Sequence, residues 1–332
     1  MIIKSAYEIL GIGTPIIDYI FGVSHDFLAN LPGLKGGSIA IEYDKFIELI
    51  HESDEAPIQV IGGSATNTIK GLAHLGRSCA LFGKIGKDEA GKLFRHEMET
   101  LKITPFLPTS NLPTAQVACL ISPDYERTMR AHLGAGSEAQ PEDLNPEMFK
   151  GVKVVHIEGY LLDYKKLVFR AMELAKQAGA KISFDLSSTE IVNQHKIILL
   201  DLIHSYVDIL FANEDETFAL TGKFPEQGCT ELQGMCEVVV IKMGKLGNWA
   251  ATKKYKIYQP ALEVINTKDS TGAGDLFASG FLHGYLCNLN LEKCSHFGAL
   301  LASEVVKVIG ADIPSTSWTG IKKMLNNTIS LN

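Results

Sequence analysis

Four short apolar runs in the second half of the chain constrain its fold most strongly. The runs VKVVHIE, KISFDL, VDILFA and EVVVIKMG begin at residues 152, 181, 207 and 237, and helical segments separate them. Strands that are apolar along their whole length are typical of parallel sheets with both faces covered by helices. The pattern predicts an α/β fold: a three-layer αβα, Rossmann-like core with a mainly parallel sheet.

One region breaks the alternation of strand and helix. Residues 113–133 read as a hairpin, in which one strand follows another directly across a PDYER turn. A strand pair without an intervening helix predicts a second sheet apart from the core. We assign residues 14–45 and 111–133 to this small β-sheet lid, and 1–13, 46–110 and 134–332 to the α/β core.

Composition excludes several classes of function. The chain has 332 residues with a net charge of −7, which argues against nucleic acid as a main partner. No stretch approaches the roughly 18 apolar residues that a membrane span needs. The six cysteines form no CxxC pair, and most lie in apolar contexts, which predicts buried free thiols. These features predict a cytoplasmic protein without a membrane partner.

The stretch DSTGAGD at residues 269–275 is the clearest candidate site. Gly272 and Gly274 flank Ala273 just before a helical segment, so backbone N–H groups can approach a ligand. Amides at a helix N-terminus form an anion site. Asp275 falls at the start of that helix, where a carboxylate serves either as a helix cap or as a base beside a phosphoryl group.

Two further stretches offer groups for a small polar ligand. In IGGSATNT, Gly62 and Gly63 lead into a helix of small residues, so the loop backbone and Asn67 can face one ligand. A plain glycine turn with a capped helix explains the same residues. Asp18 alternates with apolar neighbours in a strand, and it is either a ligand-binding acid or an exposed edge residue.

The strand VDILFA runs into Asn213 and Glu216, which share one face of a helix that starts there. This cluster fits a hydrated magnesium ion beside a polyphosphate, and it equally fits a capped helix with acids in its first turn. Lys242, Gly244 and Gly247 follow the next strand, where a tight hairpin turn also explains the glycines.

These motifs resemble those of the ribokinase-type (PfkB) carbohydrate and nucleoside kinases. DSTGAGD is similar to their C-terminal signature, D-T-x-G-A-G-D, with Ser270 in place of Thr. IGGSATNT resembles their N-terminal signature, and Asn213 with Glu216 matches their N-x-x-E motif. GIGTPIID, PDYERTM, EGYLLD and DILFANEDE are similar to the adenosine-kinase-like branch, although Thr14 departs from its usual Asn. The resemblance covers nearly the whole chain and implies a ribokinase-like fold.

The resemblance also implies roles for individual residues. Asp275 is implied as the catalytic base, and the anion hole is implied at Gly272, Ala273 and Gly274. Substrate binding is implied for a group on the acceptor side: Asp18, Gly62, Gly63, Asn67 and Tyr160, the last stacking on a nucleobase. Nucleotide binding is implied for a second group, in which Lys242 replaces the usual Thr: Asn213, Lys242, Gly244, Gly247, Thr271, Gly272 and Gly274.

The expected cofactors are ATP and Mg²⁺, the metal held through water by Asn213 and Glu216. Some relatives hold K⁺ near Asp269, so K⁺ is a further candidate. The expected reaction is phosphorylation of the primary hydroxyl of a ribose-containing substrate, above all a nucleoside such as adenosine. One alternative acceptor is ribose, fructose or a phosphosugar, which would need basic residues such as Lys35, Arg127 or Arg130.

A more distant alternative is a non-catalytic module that binds a nucleoside or a sugar. The expected partner is a small molecule, and the chain is expected to be a monomer or a homodimer that pairs through the lid.

Overall fold

The computed structural model describes residues 7–52, 56–124 and 126–330. Residues 1–6 of the predicted core and Tyr125 of the predicted hairpin turn lie outside the described residues. The described strands, in chain order, are β1 (Ile9–Ile12), β2 (Ile16–Gly22), β3 (Ser38–Ala40), β4 (Ile58–Gly62), β5 (Cys79–Phe82), β6 (Ile85–Gly86), β7 (Thr104–Phe106), β8 (Thr109–Ser110), β9 (Ala115–Ile121), β10 (Arg127–His132), β11 (Val154–Glu158), β12 (Lys181–Asp185), β13 (Ile209–Asn213), β14 (Val238–Lys242), β15 (Asn248–Thr252) and β16 (Lys256–Gln259).

The α-helices are α1 (His25–Ala29), α2 (Tyr43–His51), α3 (Ser64–His74), α4 (Glu89–Thr100), α5 (Lys165–Gln177), α6 (Thr189–Ser205), α7 (Glu214–Thr221), α8 (Pro225–Leu232), α9 (Ala273–Leu286), α10 (Leu291–Val305) and α11 (Ser315–Ser330). Short 3₁₀ helices occur at Gly134–Glu138, Pro141–Asp143, Pro146–Phe149, Gly159–Tyr164 and Gly244–Leu246.

The large sheet has nine strands in the order β16-β15-β14-β13-β12-β11-β1-β5-β7. The strands from β14 to β7 run parallel to their neighbours, and β15 and β16 add to the sheet in antiparallel fashion. The four apolar runs of the sequence are the central strands β11 to β14. The predicted α/β fold class with a mainly parallel sheet is confirmed.

Helices cover both faces of this sheet because successive strand residues point to opposite sides. On one face, Leu10 and Ile12 pack with residues of α5, α6 and α8. On the other face, Ile9 and Phe211 pack with residues of α3, α4, α9 and α10. This alternation gives two separate apolar layers, and the three-layer arrangement follows from it.

The second sheet has five strands in the order β3-β10-β9-β2-β4. The strands β9 and β10 form the predicted antiparallel hairpin. The strand β4 pairs with β2 in this sheet, and Phe46 and Leu49 of α2 pack beneath Phe21 and Leu120. The helix α2 and the strand β4 therefore lie with the second sheet, whereas the sequence-based boundary assigns 46–110 to the core. The sequence of β4 is apolar enough for either sheet, so only tertiary pairing decides its place.

The sequence also predicted buried free thiols and no membrane-spanning segment. All six cysteines are free thiols, and only Cys287 is more than slightly exposed. Within the described ranges, none of the helices has the length and apolar character required to cross a membrane.

Candidate active site

Four polar or charged side chains end neighbouring strands at the carboxyl edge of the large sheet. In spatial order they are Glu158 on β11, Asp185 on β12, Asn213 on β13 and Lys242 on β14. The strand register places Glu158 beside Asp185 and Asn213 beside Lys242. Ligands of open parallel sheets bind outside this edge. A binding site is therefore expected at the carboxyl edge of the large sheet.

Asp275 lies in the first turn of α9, immediately beyond this edge. The residue before the helix, Gly272, has a φ of 70°, a left-handed conformation that favours glycine. The Ala273 N–H donates to the Ser270 carbonyl oxygen at 3.2 Å, so this one of the three predicted anion-hole amides is bonded within the loop. The other N–H groups of a first helical turn have no partner inside the helix, which is what makes such a terminus able to bind anions.

The N-terminus of α3 orients the Asp275 carboxylate. Ser64 Oγ donates to Oδ1 at 2.8 Å, and Asn67 Nδ2 donates to Oδ2 at 2.9 Å. Asn67 is only 6% exposed, and its Oδ1 has no hydrogen-bond partner in the part of the chain that the structure describes. A buried, unpaired amide oxygen is costly and calls for an explanation, of which a bound ligand is one. The predicted site residues Asn67 and Asp275 are therefore in contact, and the unpaired oxygen of Asn67 belongs to the same amide that orients the carboxylate.

The protonation state of Asp275 suits it to accept a proton. Burial raises the pKa of its carboxyl to about 6, while the Asn67 and Ser64 hydrogen bonds and the Lys242 ammonium act in the opposite direction. At neutral pH most of the carboxylate is therefore ionised, yet it is more basic than an ordinary aspartate. A pKa close to the working pH is the property that a general base needs.

Asp18 and two glycines lie beside the start of α3. Gly63 caps this helix with a φ of 101°, and a Cβ at Gly63 would lie 2.4 Å from the Thr14 carbonyl oxygen. A Cβ at Gly62 would lie 2.1 Å from Oδ2 of Asp18, so the Asp18 carboxylate packs against this loop. Burial raises the pKa of Asp18 to about 7, although the Arg127 guanidinium lowers it. The predicted acceptor-side residues therefore converge on one helix N-terminus.

Glu158 is a residue that the sequence analysis missed. It is 1% exposed, and its two carboxyl oxygens accept the N–H groups of Thr14 and Ala65, each at 2.8 Å. Burial raises its pKa to about 7, against the lowering effect of those two hydrogen bonds. Glu158 thereby ties the segment that leads into β2 to the start of α3. The available signal was an acid at the end of the apolar run VVHIE.

Tyr160 lies two residues further, in the 3₁₀ helix Gly159–Tyr164. Its side chain is 45% exposed, unusual for a large aromatic residue beside buried acids. The structure thus places the predicted base-stacking residue near the carboxyl edge, directly after the strand that ends in Glu158.

Asn213 and Glu216 form a reciprocal capping box at the start of α7. Asn213 Oδ1 accepts the Glu216 N–H, and both Glu216 carboxyl oxygens accept hydrogen bonds from Asn213, all at 2.8 Å. Glu216 is 2% exposed, and burial together with the Asp185 carboxylate raises its pKa. The pair therefore forms the predicted helix cap, and the Glu216 carboxylate lies at the carboxyl edge of the sheet.

Lys242 forms an ion pair with Asp185, a second residue that the sequence analysis missed. The Nζ–Oδ2 distance is 2.6 Å, and both side chains are buried, at 14% and 6% exposed. Burial alone lowers the pKa of Lys242, but Asp185 and Glu216 outweigh it and hold the pKa above its ordinary value. The two predicted glycines, Gly244 and Gly247, lie in the β14–β15 turn that follows.

The loop before α9 is fixed by Asp269. Its Oδ1 accepts hydrogen bonds from the N–H and hydroxyl of Thr271 at 2.9 and 2.7 Å, and its Oδ2 accepts the Gly310 N–H at 2.9 Å. An Arg127 nitrogen lies 3.8 Å from Oδ1. Burial alone would raise the pKa of Asp269, yet these partners keep it below its ordinary value. Asp269 and Thr271 thus shape the loop that presents the α9 N-terminus.

This chain is similar to kinases of known structure and sequence. The adenosine kinase of Sinorhizobium meliloti superimposes with a TM-score of 0.88 at 31% identity, covering 98% of this chain and 100% of that one. The adenosine kinase of Saccharomyces cerevisiae is 24% identical over 92% of this chain and 96% of its own length. A 5-dehydro-2-deoxygluconokinase of Listeria monocytogenes is 27% identical over 74% of this chain and 80% of its own length.

Fold and site together define a phosphotransferase that acts on an alcohol group of a small molecule. The match to the pfkB family carbohydrate kinases spans residues 44–318, and the chain belongs to that family. The predicted resemblance, including the adenosine-kinase-like branch, is confirmed. Kinases of this family act on nucleosides or sugars and use ATP with a divalent metal.

Proposed function

We propose that this protein transfers the γ-phosphoryl group of ATP to the primary hydroxyl of a ribose-containing substrate, above all a nucleoside such as adenosine. The observation that carries the proposal is the Asp275 carboxylate, aimed by Ser64 and Asn67 and placed in the first turn of α9. A base and an anion-binding helix N-terminus within one turn match the needs of phosphoryl transfer, which are mainly positioning and charge stabilisation.

In this proposal Asp275 accepts the proton of the acceptor hydroxyl as its oxygen attacks phosphorus. The unpaired Oδ1 of buried Asn67 accepts a hydrogen bond from a second hydroxyl of the sugar. The carboxylate of Asp18 and the backbone at Gly62 and Gly63 form the rest of the acceptor side. Holding the hydroxyl in line with the base removes much of the entropic barrier.

The phosphate side is proposed at the N-terminus of α9. In this proposal the N–H groups of Gly272, Ala273 and Gly274 donate to the negatively charged oxygens of the transferring phosphoryl group. The Ala273 N–H must first release the Ser270 carbonyl oxygen. Removal of one such donor typically costs about 10²–10³ in rate. Thr271, held by Asp269, and the turn that contains Gly244 and Gly247 flank the nucleotide in the same proposal.

The residues fit a magnesium ion that is held through water. Asn213 and Glu216 offer hard oxygen donors, but their side chains bond each other. No group of three His, Cys, Asp or Glu side chains within residues 7–52, 56–124 and 126–330 could enclose a metal. Mg²⁺ commonly keeps several waters and binds through one or two carboxylates. When bound, the metal would neutralise charge on the polyphosphate.

Potassium is a separate proposal for the loop at Asp269. The oxygens of this carboxylate already accept three hydrogen bonds, so the residue anchors the loop whether or not a cation binds. Turnover in K⁺ that exceeds turnover in choline at equal ionic strength would support a monovalent cation site.

The second sheet is proposed to act as a lid over the acceptor side. It comprises the predicted segments 14–45 and 111–133, extended by α2 and β4. Closure of such a lid excludes water and limits hydrolysis of ATP. For the oligomeric state, both a monomer and a homodimer that pairs through exposed lid strands remain proposals.

A nucleoside is preferred to a phosphosugar because two of the three basic candidates are engaged away from the acceptor side. Lys35 pairs with acids of the β9–β10 region, and Arg130 donates to backbone carbonyl oxygens. Arg127 is the remaining candidate: its Nη1 lies 3.8 Å from Asp269 Oδ1 without a hydrogen-bond partner among the described residues, and its charge lowers the pKa of Asp18. A sugar stays the second candidate, since the Listeria monocytogenes relative is a 5-dehydro-2-deoxygluconokinase.

The experiment is ADP release from magnesium-ATP against adenosine, other nucleosides, ribose, fructose and phosphosugars. Turnover that depends on adenosine is the expected result. Turnover on a sugar alone would replace the nucleoside with the second candidate. Stabilisation against heat by an acceptor, without any ADP release, would favour the non-catalytic binding module instead.

A further inference from the structure

The ion pair between Lys242 and Asp185 spans one strand of the sheet. Lys242 ends β14 and Asp185 ends β12, with β13 between them. The lysine side chain therefore crosses the end of β13, where its Nζ lies 5.9 Å from the ring centre of Phe211. The pair is thus a fixed feature of the carboxyl edge and not a flexible surface contact.

The ammonium also lies against the N-terminus of α9. A Cβ built at Gly274 would be 3.1 Å from Lys242 Nζ, so the lysine occupies the space beside that residue. The Asp275 carboxylate contributes to the electrostatic environment of Lys242. A cation thus lies next to the helix terminus at which we place the transferring phosphoryl group.

The ammonium has donors to spare. A lysine ammonium has three N–H donors, and the bond to Asp185 uses one of them. Lysine is a frequent phosphate ligand because it acts as a compact point charge. The remaining N–H groups of Lys242 can therefore reach phosphate oxygens without loss of the ion pair.

A purely structural role explains this pair less well. Replacement of a buried ion pair by apolar residues is often neutral or stabilising, so stability alone gives little reason to keep one. A cation at this edge, beside an anion-binding helix N-terminus, is better explained by binding of a negatively charged ligand.

Building on the proposed kinase function, we propose that Lys242 binds the phosphoryl group of ATP during transfer and that Asp185 positions it. The bond from phosphorus to the ADP oxygen breaks, the bond to the acceptor oxygen forms, and the hydroxyl proton passes to Asp275. Lys242 forms no covalent bond; its charge offsets negative charge on the phosphate oxygens. Lys242 is thus a catalytic residue and Asp185 a positioning residue.

The test compares Lys242→Met with the double variant Lys242→Met/Asp185→Asn, which leaves neither charge of the pair. Lys181→Met is the matched control, since Lys181 pairs with Asp208 at the opposite end of β12. We expect Lys242→Met to lower kcat about 10²–10³-fold, the cost of one lost stabilising donor. We expect the double variant to regain the thermal midpoint but not kcat, and the control to keep kcat.

A regain of both thermal midpoint and kcat in the double variant would show that the lysine only neutralises Asp185. Wild-type kcat in Lys242→Met would overturn the proposal as well, while the kinase function would stand.

If the wild-type protein turns over none of the acceptors, the kinase function fails, and calorimetry with ATP and AMP then tests Lys242. Weakening of ATP binding by about tenfold in Lys242→Met, with AMP unaffected, is expected for a lost charge-assisted hydrogen bond. Equal ATP affinity in both proteins would contradict the contact.

Discussion

The two edges of the large sheet carry similar residues in very different electrostatic settings. At the amino edge, Asp208 pairs with Lys176 and Lys181, and Glu8 pairs with Lys153. Burial alone would raise the pKa of both acids, but these cations hold it below the ordinary value. Asp208 and Glu8 are thus each neutralised by a neighbouring cation, as expected for residues that stabilise a fold.

At the carboxyl edge, acids outnumber cations. Burial raises the pKa of Glu158 and Glu216 at this edge, and that of Asp275 just beyond it. Lys242, which pairs with Asp185, has several of these acids around it. The comparison teaches that residue type alone does not distinguish a structural edge from a functional one. The difference lies in whether neighbouring cations neutralise the acids.

The largest expected effect follows from loss of the Asp275 carboxylate. We expect Asp275→Asn to lower kcat by about 10²–10⁴-fold, the usual contribution of a general base, with acceptor affinity largely kept. Steady-state kinetics and calorimetry measure the two quantities. Asp208→Asn is the control at the amino edge, and it should keep kcat. Similar losses of kcat in both variants would remove the functional distinction between the edges.

Asn67→Ala should have the next largest effect. It removes the donor that aims Asp275 and the unpaired oxygen proposed for the acceptor, so kcat/KM should fall by about 10²-fold. Asn248→Ala is the control, because Asn248 is also buried and donates to Ser295. If both variants lose activity only in proportion to stability, Asn67 has a packing role alone.

The pH dependence of turnover should report the raised pKa of Asp275. The base must be ionised, so kcat/KM should fall as the pH drops through about 6, by tenfold per pH unit below it. The residual rate of Asp275→Asn controls for protonation of ATP, and it should lack this limb. A wild-type profile that stays flat to pH 5 would contradict a base with this pKa.

Glu158→Gln should act mainly on stability. The carboxylate accepts two buried amide N–H groups, and a glutamine side chain can accept only one, since its NH₂ is a donor. Loss of one of these hydrogen bonds should lower the free energy of unfolding by about 1–3 kcal/mol. Burial disfavours the ionised carboxylate, so the loss should be larger near pH 5 than near pH 8. Glu8→Gln at the amino edge should cost less than about 1 kcal/mol. Equal costs in chemical denaturation would mean that Glu158 is not a tie between the two segments.

The smallest effect is the opposite influence that the buried acids of the candidate site and the acids of the amino edge have on stability as pH changes. Asp18 and Glu158 have pKa values of about 7, so the folded chain binds more protons than the unfolded chain from about pH 4 to 7. Their contribution to stability therefore falls as the pH rises through that window. Glu8 and Asp208, with lowered pKa values, contribute stability that is lost as the pH falls below about 4.

Denaturant unfolding at several pH values should show that Asp18→Asn flattens the decline of stability between pH 4 and 7. Asp208→Asn should leave that decline intact and reduce the loss in acid. A wild-type stability that rises steadily from pH 4 to 7 would be opposite in sign to this expectation.

Sequence reasoning predicted the parts of the candidate site whose chemistry is local. Asp275, Gly272 and Asn67 stand in short motifs at helix starts, where glycine conformation and first-turn amides follow from neighbouring residues. The apolar runs likewise predicted the parallel sheet, since burial on both faces leaves a direct mark on composition.

Other parts depend on contacts between distant segments and left no local mark. Glu158 accepts hydrogen bonds from amides 144 and 93 residues earlier in the chain, and Asp185 pairs with Lys242 from two strands away. Similarly, β4 joins the second sheet through pairing with β2, although its sequence fits either sheet. In each case the contact depends on how distant segments are arranged in three dimensions, and a single sequence does not show this arrangement.

The most direct test of the central claim is ³¹P NMR of the product made from adenosine and magnesium-ATP. We expect a phosphomonoester on the primary hydroxyl, with its phosphorus coupled to the pair of hydrogens on the 5′ carbon, and ADP in equal amount. A signal from inorganic phosphate alone, or coupling to the lone hydrogen of a secondary carbon, would contradict the proposed reaction at the carboxyl edge.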